Sequence, residues 1–151
     1  MAANRLQNRD SQKIIGLLAG ADVRVLDWHT KHTGQDPLAI QTGTFTTLGI
    51  TKGDNIIASV LYTRYRWPDV EVHIHSTDPR WCTRTTLKAI FNYPFKQLNC
   101  KRVTAITDPA NQAVCHFLER LGFKEEGRQR HGLPTGDALI LGMIREECRW
   151  T

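Results

Sequence analysis

The chain has 151 residues, a length that suits one domain around one core. Hydrophobic residues make up 40% and charged residues 23%, and no apolar run is long enough for a membrane span, so no membrane partner is expected. A net charge of +5 favours anionic ligands in general, but the basic residues are dispersed and lack interleaved aromatics, so nucleic acid is not an expected partner.

The opening MAANRLQNRD carries no apolar stretch, so no secretory leader is expected and the chain is placed in the cytoplasm. Cys82, Cys100, Cys115 and Cys148 match neither a zinc pattern nor a redox pair and are expected reduced; no metal site is expected. The first periodic segment, Asp10 to Ala19, predicts a capped helix ended by Gly20. Residues 22–33 predict a second helix with Val23, Leu26 and Trp28 inward, and residues 33–43 a loop. The period then becomes two. Strands are expected over 44–51 and 55–66, joined by a Lys52–Asn55 turn into a hairpin, and over 70–76.

The VEVHIHS strand alternates sharply. Val70, Val72 and Ile74 share one face; Asp69, Glu71, His73 and His75 share the other. Two readings are open for the ionisable row: a working site, or a solvated face with incidental histidines. A helix is expected from Trp81 to Leu98, kinked or shortened by Pro94, then a strand over 102–107. Asp108 and Pro109 are expected to open a last helix that carries Val114, Phe117, Leu118 and Leu121 and stops at Gly122. Strands near 123–130 and 137–145 close the chain. The fold class is α/β (α+β), with a mixed, mostly antiparallel sheet of six or seven strands flanked by helices; the strand–helix–strand unit over 70–107 is parallel. The whole chain, 1–151, is expected to be a single domain, with N-terminal helices over 10–33 and a core over 44–146.

The segment DPANQAVCHFLERLGFKEEG, residues 108–127, resembles the last helix–strand unit of GNAT N-acetyltransferases, nearest to the branch that includes the ribosomal-protein N-terminal acetyltransferases. The matching residues are Asn111, Leu118, Glu119, Leu121, Gly122, Phe123, Glu126 and Gly127. Residues 89–107 and 136–150 are similar to a phage- and prophage-encoded group of the same superfamily. The resemblance implies a sheet splayed between its fourth and fifth strands, here 70–76 and 102–107. Acyl-CoA would lie in that gap, with its diphosphate at the start of the intervening helix. It implies acetyl-CoA as co-substrate, an unidentified amine as acceptor, and direct attack on the thioester. The phage likeness adds a bacterial host, virion association and phage virion proteins as partners to the expectations; a homo-oligomer is a separate expectation, and the sequence does not set the oligomeric state.

The chain departs from the family where a Q/R-x-x-G-x-G/A loop is usual. It has Arg80-Trp81-Cys82-Thr83-Arg84-Thr85, with threonine at both glycine positions. Threonine is bulkier, yet its hydroxyl can donate to phosphate, and Arg80 and Arg84 add charge. With His75 and Asn111, these six residues form the expected cofactor-binding set; Asn111 equally fits a helix cap. The frequent tyrosine of the last helix is Phe117 here, and a frequent serine is Val114. Glu71, first, and His73, second, are therefore the candidate catalytic bases. The alternative is an inactive protein of this fold used in phage assembly. An open groove ending at Glu71 and His73 favours the enzyme; a groove blocked by Trp81, Thr83 or Thr85 favours the structural part.

Overall fold

The computed structural model describes residues 14–41 and 43–151. Seven strands, β1 (Ile15–Ala19), β2 (Phe45–Lys52), β3 (Asn55–Arg66), β4 (Asp69–Ser76), β5 (Arg102–Thr107), β6 (Lys124–Leu133) and β7 (Gly136–Ile144), make one sheet in the order β1-β2-β3-β4-β5-β7-β6. Every pair of neighbours is antiparallel except β4 and β5, which are parallel. The α-helices are α1 (Asp22–Thr33), α2 (Pro37–Gln41), α3 (Arg84–Asn92) and α4 (Gln112–Leu121). The expected mixed, mostly antiparallel sheet with flanking helices is what forms.

The N-terminal expectation fails in one element. From Ile15 onward the predicted helix over 10–19 is a strand, and residues 10–13 lie outside the described residues. The run IIGLLA is too short for its periodicity to separate helix from strand. Pairing with β2, from Ile15↔Lys52 to Ala19↔Leu48, decides it. With β1 in place, β4 is the fourth strand and β5 the fifth, as the resemblance implies.

The α1 helix forms where expected, but its inward side is Val25, Leu26 and His29, while Val23 is exposed. Its first turn is tied to β2 because the Asp22 carboxylate accepts from the Thr47 N–H (3.0 Å) and hydroxyl (2.7 Å). Gly34, at φ 71°, ends the helix in the left-handed conformation that glycine adopts without a Cβ clash. The short helix α2 occupies part of the expected loop.

Cross-strand partners share a sheet face, so the β3–β4 register sorts the side chains. Ser59, Leu61 and Thr63 stand opposite His75, His73 and Glu71. Leu61 packs with Val25 and Leu26, so this is the α1 face. Val60 and Tyr62 stand opposite Ile74 and Val72 and join the larger core with Leu87, Ile90 and Phe91 of α3 and Leu118 and Leu121 of α4. The alternation read along β4 therefore holds, and His73 and His75 of its polar row stand on the α1 side of the sheet.

The expected helix over 81–98 is three pieces: a 3-10 turn at Pro79–Trp81, α3, and a π turn at Tyr93–Gln97. Pro94 has no N–H to continue an α-helix, and the widened turn closes instead through Leu98 N–H to Tyr93 C=O at 2.9 Å. The last helix starts later than expected: Asn111, not Asp108 or Pro109, is the N-cap of α4, while Gly122 ends it as predicted.

Candidate active site

Parallel β4 and β5 share a single register pair, Glu71↔Thr104. A side-chain bond, from the Thr104 hydroxyl to Asp69 Oδ2 (2.6 Å), holds the two strands at the same end. Beyond it they part, and β4 from His73 to Ser76 turns an unpaired edge toward β5. The resulting cleft has a volume of about 1040 Å³. It takes walls from both sheet faces: His73 and His75 from the α1 side, and Ile74, Ser76, Leu87, Val114 and Phe117 from the α3–α4 side. An opening through the sheet at a strand splay lets a donor and an acceptor approach the same point from opposite faces.

The helix start beside the cleft is built differently from a glycine loop. Thr83 caps α3, its hydroxyl accepting from Thr86 N–H (3.1 Å), while Thr86 Oγ1 accepts from Thr83 N–H (2.9 Å). This reciprocal capping box satisfies two of the free N–H groups at the helix start and leaves those of Arg84 and Thr85 without an intrahelical partner. Arg80 is bound back to Asp78 (2.7 Å), whose carboxyl these bonds hold down at about 2. Of the six loop residues, Trp81 and Cys82 line the cleft; Arg80, Thr83, Arg84 and Thr85 do not. Trp81 is buried and packs edge-on against Phe117, with ring centroids 5.8 Å apart, as part of the wall.

Among the candidate bases, Glu71 is buried under Arg64 (3.3 Å) and is absent from the cleft lining. Burial raises its carboxyl pKa, the Arg64 charge opposes this, and Asp69 adds to it. His73 lines the cleft with Nε2 2.8 Å from Thr63 Oγ1. Burial, then the neighbouring His29 and Arg64, lower its pKa to about 4. His75, also in the cleft, is lowered by burial and by His32. Asn111 lines the cleft while its side chain accepts from Val114 N–H (3.3 Å), so of its two expected roles the cap is the one seen.

Sequence reasoning passed over the α1 contribution. His29, Thr33 and Gln35 also line the cleft. Trp28 stacks on His32 at 4.1 Å, and both rings lie near His75, at 5.9 and 6.3 Å. Three imidazoles, His29, His73 and His75, thus line the cleft, with His32 beside His75. The available signal was the pair of histidines on α1 at helical spacing, but nothing local says that they face β4. No group of three or more His, Cys, Asp or Glu side chains among the described residues is arranged to hold a metal ion.

A family model of the acetyltransferase (GNAT) domain matches residues 8–124. No curated protein sequence matches the chain significantly. Among solved structures, spermidine N-acetyltransferase from Vibrio cholerae in complex with CoA and spermine is 16% identical, with 88% of this chain and 96% of that one aligned at a TM-score of 0.67. A dodecameric structure of the V. cholerae enzyme is 15% identical, with 87% and 94% aligned at 0.68. At such identity the likeness is one of fold. The family match spans most of the chain, and on it the chain belongs to the GNAT acetyltransferase family.

Proposed function

We propose that the protein is an acetyl-CoA-dependent N-acetyltransferase acting by direct transfer to an amine. The observation that carries this is the open cleft through the β4–β5 splay, which Trp81 lines without closing. The residues suit an acyl-CoA. The free edge of β4 offers backbone pairing to a pantetheine arm. Two uncapped N–H groups of α3 with the exposed Arg84 suit a diphosphate. The donor supplies a thioester whose acyl carbon forms a C–N bond as the C–S bond breaks, the thiol leaving with the proton.

The chain's own task is to take that proton from the amine. His75 is the better acceptor. Glu71 stands outside the cleft, and His73, at about 4, binds a proton too weakly near neutral pH. Unpaired backbone N–H groups of β4 are placed to polarise the acyl oxygen. The CoA and spermine complex of the V. cholerae enzyme supports the donor; phage origin and virion partners rest on the sequence resemblance.

The test is amine-dependent release of CoA thiol, with His75→Gln as the control variant. Wild type is expected to turn over. The variant should lose on the order of 100-fold in kcat with acetyl-CoA affinity retained. Full activity in the variant would remove His75 from the role, and no turnover with any amine would sink the enzymatic reading.

A further inference from the structure

His29 is the least explained residue of the cleft. It is buried to 2% exposure on the inward side of α1, beside the apolar Val25 and Leu26. Both of its ring nitrogens are engaged. Nδ1 lies 2.8 Å from Ser59 Oγ on β3, and Nε2 lies 3.0 Å from Gln35 Oε1 in the loop after α1. A carboxamide oxygen only accepts, so Nε2 carries the proton and donates. Nδ1 then accepts the Ser59 O–H. With Gln35 Oε1 facing it the ring takes the Nε2–H form, and the Ser59 hydroxyl, which can donate or accept, matches that form.

Gln35 turns its Oε1 to His29, which leaves its Nε2H₂ group with no protein acceptor among the described residues. The loop is pinned from the same helix: Thr33 Oγ1 donates to His29 C=O (2.8 Å) and accepts from Gln35 N–H (3.3 Å). Gln35 lines the cleft beside His73 and His75. The chain Ser59–His29–Gln35 therefore leaves an amide N–H donor on a residue that lines the same cleft as the imidazole that would deprotonate the amine.

We propose that His29 is a positioning residue and Gln35 a specificity determinant, which together select acceptor amines bearing a hydrogen-bond-accepting oxygen close to the reacting nitrogen. The inference rests on the acetyltransferase reading. An oriented amide donor rewards a carbonyl or carboxylate oxygen and gives nothing to an alkyl chain or a second ammonium group. Gln35 is exposed, so water meets its amide when the acceptor lacks the oxygen, and the preference is that of one net hydrogen bond.

The experiment compares two acceptors of similar size, alaninamide and the oxygen-free sec-butylamine, on wild type, Gln35→Ala, Gln35→Glu and Ser59→Ala, with acetyl-CoA binding measured in parallel. Differences in amine basicity cancel when each variant is set against wild type for the same acceptor. Gln35→Ala is expected to raise KM for alaninamide about tenfold with little change in kcat, and to leave sec-butylamine unmoved. Gln35→Glu, which keeps the bond from His29 but replaces the donor, should do at least as much. Ser59→Ala, which frees His29 to change tautomer without emptying the core, should give a smaller rise with the same acceptor dependence. Equal effects on both acceptors, or none on either, with acetyl-CoA binding intact, would overturn the proposal alone. Loss of acetyl-CoA binding in wild type would overturn it together with the acetyltransferase reading.

Discussion

Glu71 on β4 faces Thr104 on β5, and among the described residues this is the one register pair that joins the two strands. Everything that makes the cleft follows from where that pair sits. The Thr104 hydroxyl adds a bond to Asp69 at the closed end, so the strands are held at their starts and free at their ends. Replacing Thr104 with Val keeps the shape but removes the donor from a partly buried carboxylate. The expected cost is about 2 kcal/mol. A lower urea midpoint with an unchanged slope would show it; an unchanged midpoint would mean that the hydroxyl does not hold the strands.

The imidazoles make stability pH-dependent. His73 has a folded-state pKa of about 4, below its ordinary 6.5, and burial lowers His29 and His75 as well. Between these values the unfolded chain binds more protons than the folded one, so stability rises with pH. It is complete above about pH 6.5 and is lost as pH falls toward 4. His73 alone contributes on the order of 2–3 kcal/mol of this. Glu71, whose carboxyl is raised by burial, works in the opposite sense around its own titration. Urea unfolding at pH 7 and pH 5 should show a lower midpoint at pH 5, and His73→Gln should flatten the difference. An equal slope in the variant would move the effect to other groups.

The start of α3 carries a separable prediction. Thr83 caps the helix through Thr86, so Thr83→Ala should cost about 1 kcal/mol, and Thr83→Gly only a few tenths. Thr83→Gly also returns the glycine that the resemblance leads one to expect. Thermal unfolding should rank the three as Thr, Gly, Ala, and acetyl-CoA affinity in the glycine variant should equal or exceed that of wild type. A weaker affinity there would mean that the threonine hydroxyl itself contacts the ligand.

Much of this architecture was legible along the chain because it is local. The alternation of VEVHIHS correctly separated His73 and His75 from Ile74, and the turn residues between β2 and β3 announced the hairpin. What was hidden depends on distant partners. Ile15 to Ala19 becomes a strand only by pairing with β2, some thirty residues later. Glu71 ranked ahead of His73 as the candidate base in the row, yet it lies buried under Arg64 at the bridge to β5 and outside the cleft lining. His29 and Gln35 reach the site through Ser59, thirty residues from His29, a relation that no spacing within α1 encodes. The capping box, by contrast, was readable from Thr83 and Thr86 three apart, once the helix start was known.

The central claim is that the splay holds an acyl-CoA, and calorimetry with acetyl-CoA on wild type and Val114→Trp tests it most directly. Val114 lines the cleft on the first turn of α4 and is 36% exposed, so an indole there fills the groove without disturbing the core. Saturable binding by wild type, weakened at least tenfold in a variant with unchanged thermal stability, is the expected result. No binding by wild type at millimolar acetyl-CoA, or equal binding by both proteins, would contradict the account.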